Sequence, residues 1–302
     1  MSLLMSDEIK RIVFEELESA TQSIHIISAF CKYNAFDELL KHIPLSVTSK
    51  KLLLRFRLDD LINGSTDFEV VERCRQKNWK VYIRLDLHAK TYIIDKKRGI
   101  IGSANATGRG LSFGRNGNLE IATLIDISDS DKRKIDMLFW EAVEIEDELF
   151  EKLQQQYYSI SDSCNLDLVQ KKWSRDIEGL ITPDITTLFS YDFPDEDDVN
   201  GNSVYRFLGL PVETKREVIV ETFKWCRCNV WLRKVLREHG GEIYYGELSS
   251  LLHKAIVEDP RPYRKDIKKL LSNQIRWIEL LASDDIVIER PNYSQRIRLR
   301  DY

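Results

Sequence analysis

Cysteine and proline are scarce in this chain of 302 residues, which holds five of the first and seven of the second. The cysteines stand at 31, 74, 164, 226 and 228 with no C-x-x-C pair, so neither a zinc-ribbon pattern nor a disulfide framework can be drawn. Reduced thiols and a cytoplasmic setting are expected. Cys226-Arg227-Cys228 falls in a predicted helix, where packing accounts for it better than metal binding. No apolar run approaches the roughly 20 residues that cross a bilayer. The first residues, Met1-Ser2-Leu3-Leu4-Met5-Ser6-Asp7-Glu8, lack the basic-then-apolar layout of a secretory signal. An excess of one charge is missing too: 45 Lys and Arg face 49 Asp and Glu, a formal net charge of −4. Any contact with nucleic acid must therefore rest on local basic patches.

What the chain does contain is one dense polar motif. His88-Ala89-Lys90-Thr91-Tyr92-Ile93-Ile94-Asp95 is followed after six residues by Gly102-Ser103-Ala104-Asn105, the pattern H-x-K-x4-D-x6-G-S-x-N. At ordinary residue frequencies six such fixed positions coincide by chance in roughly one sequence in 10^5 to 10^6. The flanking segments, Val81-Tyr82-Ile83, Thr91 to Ile94, Gly99 to Ile101 and Leu119 to Ile125, are short β-branched and aromatic runs between turn residues and predict consecutive strands. Period-two alternation puts His88 and Lys90 on one face, and a loop after Gly102 can bring Asn105 to the same point. An imidazole attacking phosphorus needs a group to orient it and donors where negative charge accumulates. Glu120 can supply the first, and Lys90 with Asn105 the second. His25, His42, His239 and His253 have no such neighbours and are read as surface or capping residues.

The motif resembles the signature of the phospholipase D superfamily, over about the first half of the chain. The resemblance implies that His88 is a nucleophile, that Lys90 and Asn105 bind phosphate oxygens, that Ser103 is a further hydroxyl near the phosphate, and that Asp95 is structural. Asn118-Leu119-Glu120 then offers Glu120 as the acidic partner of His88, with Asn118 supporting it. It also implies chemistry that needs no metal and no cofactor. H-x-K occurs once in the chain, and family members with one motif obtain the second histidine from a symmetric partner. The expectation is a homodimer through the N-terminal domain.

Helical patterns at about 7–19, 35–43 and 67–77 alternate with strands at 23–30 and 51–58, and a helix over 129–157 closes the unit. This predicts an α/β domain over 1–160, a phospholipase D-like mixed sheet flanked by helices. Residues 161–204 are expected to be a connecting helix and an acidic linker, with Pro194 and the run Asp195-Glu196-Asp197-Asp198 in its exposed part.

Residues 205–302 predict a mainly helical domain. One long helix from about Glu213 ends at His239-Gly240-Gly241, a glycine stop. Helices over 247–256 and 263–282 follow, then two alternating runs around Pro291-Asn292-Tyr293-Ser294, a hairpin signal. Helices followed by such a hairpin resemble a winged helix-turn-helix. Arg264, Lys265, Lys268 and Lys269 would open its recognition helix, with Arg296, Arg298 and Arg300 along the wing. Lys96, Lys97, Arg109 and Arg115 are further basic candidates beside the motif.

Together these readings predict a metal-independent phosphodiesterase acting through a phosphohistidine, most simply a DNA endonuclease of a restriction or defence setting, with RNA left open as substrate and operon-encoded proteins as further partners. A lipid phosphodiesterase of the same superfamily and a non-catalytic DNA-binding accessory subunit are the alternatives. No segment for bilayer contact stands out.

Overall fold

Short apolar runs pair into one large sheet, and that sheet positions everything of interest in the first half of the chain. The computed structural model describes residues 3–114, 116–161, 172–196, 201–281, 285–291 and 294–300. It divides into two units, Met1–Pro183 and Asp184–Tyr302.

The first unit runs β1 (Leu3–Met5), α1 (Asp7–Glu18), β2 (Ser23–Ser28), α2 (Tyr33–Lys41), β3 (Ser49–Leu54), α3 (Leu58–Ile62), α4 (Glu69–Gln76), β4 (Lys80–Ile83), β5 (Lys90–Ile94), β6 (Arg98–Gly102), β7 (Ile121–Asp126), α5 (Asp129–Trp140), β8 (Val143–Glu144), α6 (Asp147–Ser161) and α7 (Arg175–Leu180). The strand order is β1-β7-β6-β5-β2-β3-β4-β8. β2, β3 and β4 are mutually parallel and every other pairing is antiparallel. This is the mixed, phospholipase D-like α/β sheet that the sequence predicts. β2 is buried along five of its six residues because helices cover both faces of the central strands. On one face Ile135 and Phe139 of α5 pack on Ile27, Leu53, Tyr82 and Ile93. α1, with Ile9, Val13 and Leu17 buried at a spacing of four, packs against β5.

Two sequence expectations fail for a shared reason, which is that tertiary contacts break an unbroken helical pattern. The helix expected over 129–157 stops at Trp140. The chain turns so that the Glu141 carboxylate meets Arg84 at 2.9 Å, and β8 then pairs with β4, covering its edge. In the second unit the single helix expected from 213 to 239 is two, α9 (Arg216–Lys224) and α10 (Arg227–Glu238), after α8 (Ser203–Leu208). Cys226 is extended at the break, and the Asn229 amide donates to the Phe223 carbonyl at 2.7 Å, replacing a helical bond. The Cys226-Arg227-Cys228 run thus lies at a helix start. Cys31, Cys74, Cys226 and Cys228 are free thiols.

The second unit continues with β9 (Glu242–Tyr244), α11 (Tyr245–Ala255), α12 (Arg264–Leu281), β10 (Ile286–Glu289) and β11 (Arg296–Leu299), the three strands forming a sheet in the order β10-β11-β9. The hairpin is where the sequence puts it. Residues 185–196, expected to belong to an exposed connector, are instead built into this unit. Ile185, Leu188 and Phe193 are buried, and Asn273 and Trp277 of α12 donate to the carbonyls of Pro194 and Glu196 at 2.9 Å. The apolar residues of that segment outweigh its acidic end. Asp197, Asp198 and Asn200 lie outside the described residues, as do Cys164 and Asp284.

Asp95 holds the β5–β6 hairpin. Asp95 and Lys96 have φ of 53° and 49°, the left-handed pair of a type I′ turn, a conformation Asp tolerates better than most residues. Its carboxylate accepts Thr21 N–H at 3.0 Å, Thr21 Oγ1–H at 2.7 Å, and the N–H groups of Gln22 and Ser23 at 2.7 Å each. Partial burial raises the pKa of this carboxyl, but the hydrogen bonds outweigh that and bring it down to about 2. The stabilisation is therefore present above the unfolded-chain value of roughly 3.9 and is lost as pH falls towards about 2. Asp95→Ala is expected to lower unfolding free energy by about 2 kcal/mol at neutral pH in urea titrations, and the gap from wild type should close by pH 2.

Candidate active site

The site lies at the end of the sheet where parallel β2 and β3 finish. Ser28 stands opposite both Leu54 of β3 and Lys90 of β5, so the residues just beyond these positions converge. Ligands bind outside the carboxyl ends of parallel strands for this reason. The turn before β5 is fixed from several sides. Arg84, buried, pairs with Asp86 at 2.7 Å and with Glu141 at 2.9 Å, and Arg57 Nε donates to the Leu85 carbonyl at 2.7 Å. Leu87 is buried in the core under α5. His88 emerges exposed from this anchored turn, and Ala29 N–H binds the Ala89 carbonyl at 3.1 Å.

Lys90 points inward, 9% exposed, and its ammonium donates to the His88 carbonyl at 2.6 Å while lying 3.1 and 3.2 Å from the two ring nitrogens. Asn105 comes from the loop after β6. Its Oδ1 accepts Phe30 N–H at 3.1 Å and lies 3.4 Å from Ser28 Oγ, which in turn accepts Ala106 N–H at 2.9 Å. With the acceptor end occupied, the amide NH2 is the end available to a ligand. Two glycines make this loop possible. A Cβ at Gly102 would lie 2.4 Å from the Ile121 carbonyl, and one at Gly110 would lie 2.4 Å from the Asn105 carbonyl.

The structure brings His88, Lys90 and Asn105 to the same end of the sheet, and it turns Glu120 and Ser103 towards each other. Glu120, 7% exposed, takes the Ser103 hydroxyl on one oxygen and the Asn118 amide at 3.0 Å on the other. Glu120 bonds to this pair and makes no hydrogen bond to His88 among the described residues, and the Ser103 hydroxyl is turned towards Glu120.

Of the basic candidates, Arg109 is exposed on the loop between Asn105 and Glu120, at the site end. Lys96 and Lys97 are not. They follow the far end of β5, a strand length from His88, and Lys96 pairs with Asp136 of α5. Arg115 lies outside the described residues. In the second unit Arg264, Lys265, Lys268 and Lys269 are exposed along α12, whereas Arg296 and Arg298 are tied to Glu289, and Arg296 also to Glu242.

One cation escaped the sequence reading. Arg55, directly after β3, is clamped by Asp60 through two bonds of 2.7 Å and stacks on the Phe30 ring at 4.6 Å. Its position at the carboxyl end of a parallel strand was the available signal. Desolvation, then Lys90, then Arg55 push the His88 imidazole below its ordinary 6.5. Burial and Arg55 likewise lower Lys90, against the opposing charge of Glu120. A neutral imidazole keeps the lone pair that nucleophilic attack requires, and cationic donors beside it can meet an anion.

Residues 13–141 match the family model described as cardiolipin synthase, PLD-like domain. The match falls within the first unit and agrees with its mixed, phospholipase D-like sheet. Among solved structures, the chain is similar to Nuc, a phospholipase D family member from Salmonella typhimurium (16% identity over 48% of this chain and 99% of that one, TM-score 0.38), and to NucT from Helicobacter pylori (16% identity, 48% and 98%, TM-score 0.37). It is also similar to phosphatidylserine synthase of Haemophilus influenzae Rd KW20, with 12% identity over 52% of this chain and 42% of that one and a TM-score of 0.40. No curated protein matches the sequence. No helix among the described residues is long and apolar enough to cross a membrane.

The His88 shift can be read directly. In an NMR titration the ring signals of His88 are expected to turn over below pH 6.5, with neutral imidazole prevailing above that point. A midpoint above 6.5 would mean that a carboxylate, not Lys90 and Arg55, governs the ring.

Proposed function

We propose that this protein is a phosphodiesterase of the phospholipase D type that cleaves nucleic acid, most simply DNA, as a homodimer. The observation that carries this reading is the convergence of His88, Lys90 and Asn105 on one exposed point at the end of the sheet. His88 attacks phosphorus, forming a P–N bond as the bond to the leaving oxygen breaks. Lys90 and the Asn105 amide take up the charge on the non-bridging oxygens. The leaving oxygen takes a proton from His88 of the second copy. Water then attacks the phosphohistidine, giving its proton back to that second histidine and releasing the first. These residues supply the nucleophile, the acid and the donors, so the route needs no metal or cofactor.

The second copy is called for because the chain has one H-x-K, and the first unit exposes an apolar surface. Leu3, Met5, Ile101 and Ile121 are 66, 41, 43 and 46% exposed, and the registers Met5–Ile121, Leu3–Thr123 and Ile101–Thr123 put them on one sheet face, with Leu119 at 76% beside Glu120. α5 covers the other part of that face. An exposed apolar strip of this kind suits an isologous contact. The second unit, ordered α10-β9-α11-α12-β10-β11, reads as a winged helix-turn-helix with the exposed basic side of α12 facing DNA phosphates. A restriction or defence role fits this pairing of nuclease site and DNA-binding module.

Incubation with plasmid DNA, phosphatidylcholine and bis(p-nitrophenyl) phosphate, each in EDTA, tests the reading. Cleavage of DNA and of the small diester is expected, and activity on lipid alone would replace nucleic acid by a membrane substrate. Mixing wild-type with His88→Ala subunits should lower activity towards the square of the wild-type fraction, while a linear decline would contradict a shared site. Neutralising Arg264, Lys265 and Lys268 together should weaken DNA binding and reduce the salt slope by nearly one per lost phosphate contact, leaving turnover of the small diester in place.

A further inference from the structure

Arg55 is built more elaborately than a surface cation. Its side chain is 18% exposed, and its partner Asp60 is 8% exposed. Nε and Nη2 bind the two oxygens of Asp60, which fixes the plane of the guanidinium. The Phe30 ring supports one face of that plane. The clamp uses one edge of the fork, and Nη1 makes no hydrogen bond among the described residues. The backbone of Asp60 is anchored in turn, its carbonyl accepting the N–H groups of Ser65 and Thr66 after α3.

The arrangement stands beside the reactive group. Leu54, Ser28 and Lys90 are in register across three adjacent strands, so Arg55 and Lys90 lie on the order of 10 Å apart along the sheet end. Arg55 is close enough for its charge to act on both His88 and Lys90. Phe30 links the two centres. Its ring carries the guanidinium while its backbone N–H holds Asn105. A rigid guanidinium with free donors, a short step from a site that binds one phosphate, matches a second phosphate on the same strand better than it matches any part of an isolated diester.

We propose that Arg55 is a second phosphate ligand, holding the phosphate next to the one His88 attacks, so that the site selects polynucleotides over isolated phosphodiesters. The inference rests on the phosphodiesterase reading above and names its substrate class. Asp60 and Phe30 are positioning residues that pre-orient the fork, so the ordering of a long flexible side chain is complete before substrate arrives.

Thymidine dinucleotides with and without a terminal phosphate, at either the 5′ or the 3′ end, test this in the full-length protein. Wild type should favour one of the terminally phosphorylated forms in kcat/KM, and Arg55→Gln should reduce that preference about tenfold, the size of one charge-assisted hydrogen bond. Arg55→Lys should retain part of it, because charge survives without the fork. The preference is a ratio within each variant, so a general loss of active protein cancels. In a His88→Ala background, binding of a short oligothymidylate should lose about 0.7 of its log–log salt slope when Arg55 is also replaced by Gln. If Arg55→Gln fails to fold, Arg55→Lys and Asp60→Asn carry the comparison, each with reduced preference. An unchanged preference and salt slope would overturn the role of Arg55. Absence of hydrolysis of every substrate by wild type would overturn the phosphodiesterase reading instead, and the binding slope would still decide on Arg55.

Discussion

The pairing of β2 with β5 is the constraint on which the first unit turns. β2 runs parallel to β3 on one side and antiparallel to β5 on the other, and Ser28 is aligned with Leu54 and Lys90 at once. A slip of one residue would turn Lys90 from the site to the opposite face and move Tyr92 and Ile94 to the α5 side of the sheet. The site is therefore a product of register. Asn105 depends on the same alignment, because its acceptor is held by Phe30 and Ser28 at the end of β2.

Holding an exposed histidine still requires a firm turn behind it, and the chain supplies one from charge. Arg84 sits between Asp86 and Glu141 with 5% of its side chain exposed, and Glu141 is similarly enclosed. Such groups are costly to take out of water, and removing one partner of a buried pair typically costs about 3–5 kcal/mol. Its value here is geometric. Two bonds to Asp86 and one to Glu141 define the turn from which His88 projects, and Glu141 also ends α5 and admits the strand that covers the edge of β4.

The strands were legible because period-two burial is written residue by residue, and the motif was legible because His88, Lys90, Asp95 and Asn105 occupy fixed spacings on and around two adjacent strands. What escaped was set by contacts distant in sequence. Lys96 and Lys97 are near His88 in the chain but a strand away in space. Ser103 and Glu120 looked like separate site groups, yet they face each other. Arg55 carries no motif, and only the sheet order brings β3 beside β2 and so beside His88. The break at Cys226 follows from Asn229 reaching back to Phe223, which no periodicity reveals. The wing arginines read as free charge because Glu289 and Glu242 join them only once the small sheet has formed.

The two outermost strands of the large sheet are its shortest: β1 has three residues and β8 has two. Each offers too little backbone for another chain to extend the ladder. Growth of the sheet into a filament is thereby discouraged, and copies of the molecule are left to meet through side chains on its faces. Contacts of that kind can be strengthened or weakened one substitution at a time while the hydrogen-bonded framework stays as it is, so assembly and fold are free to change at separate rates as sequences diverge.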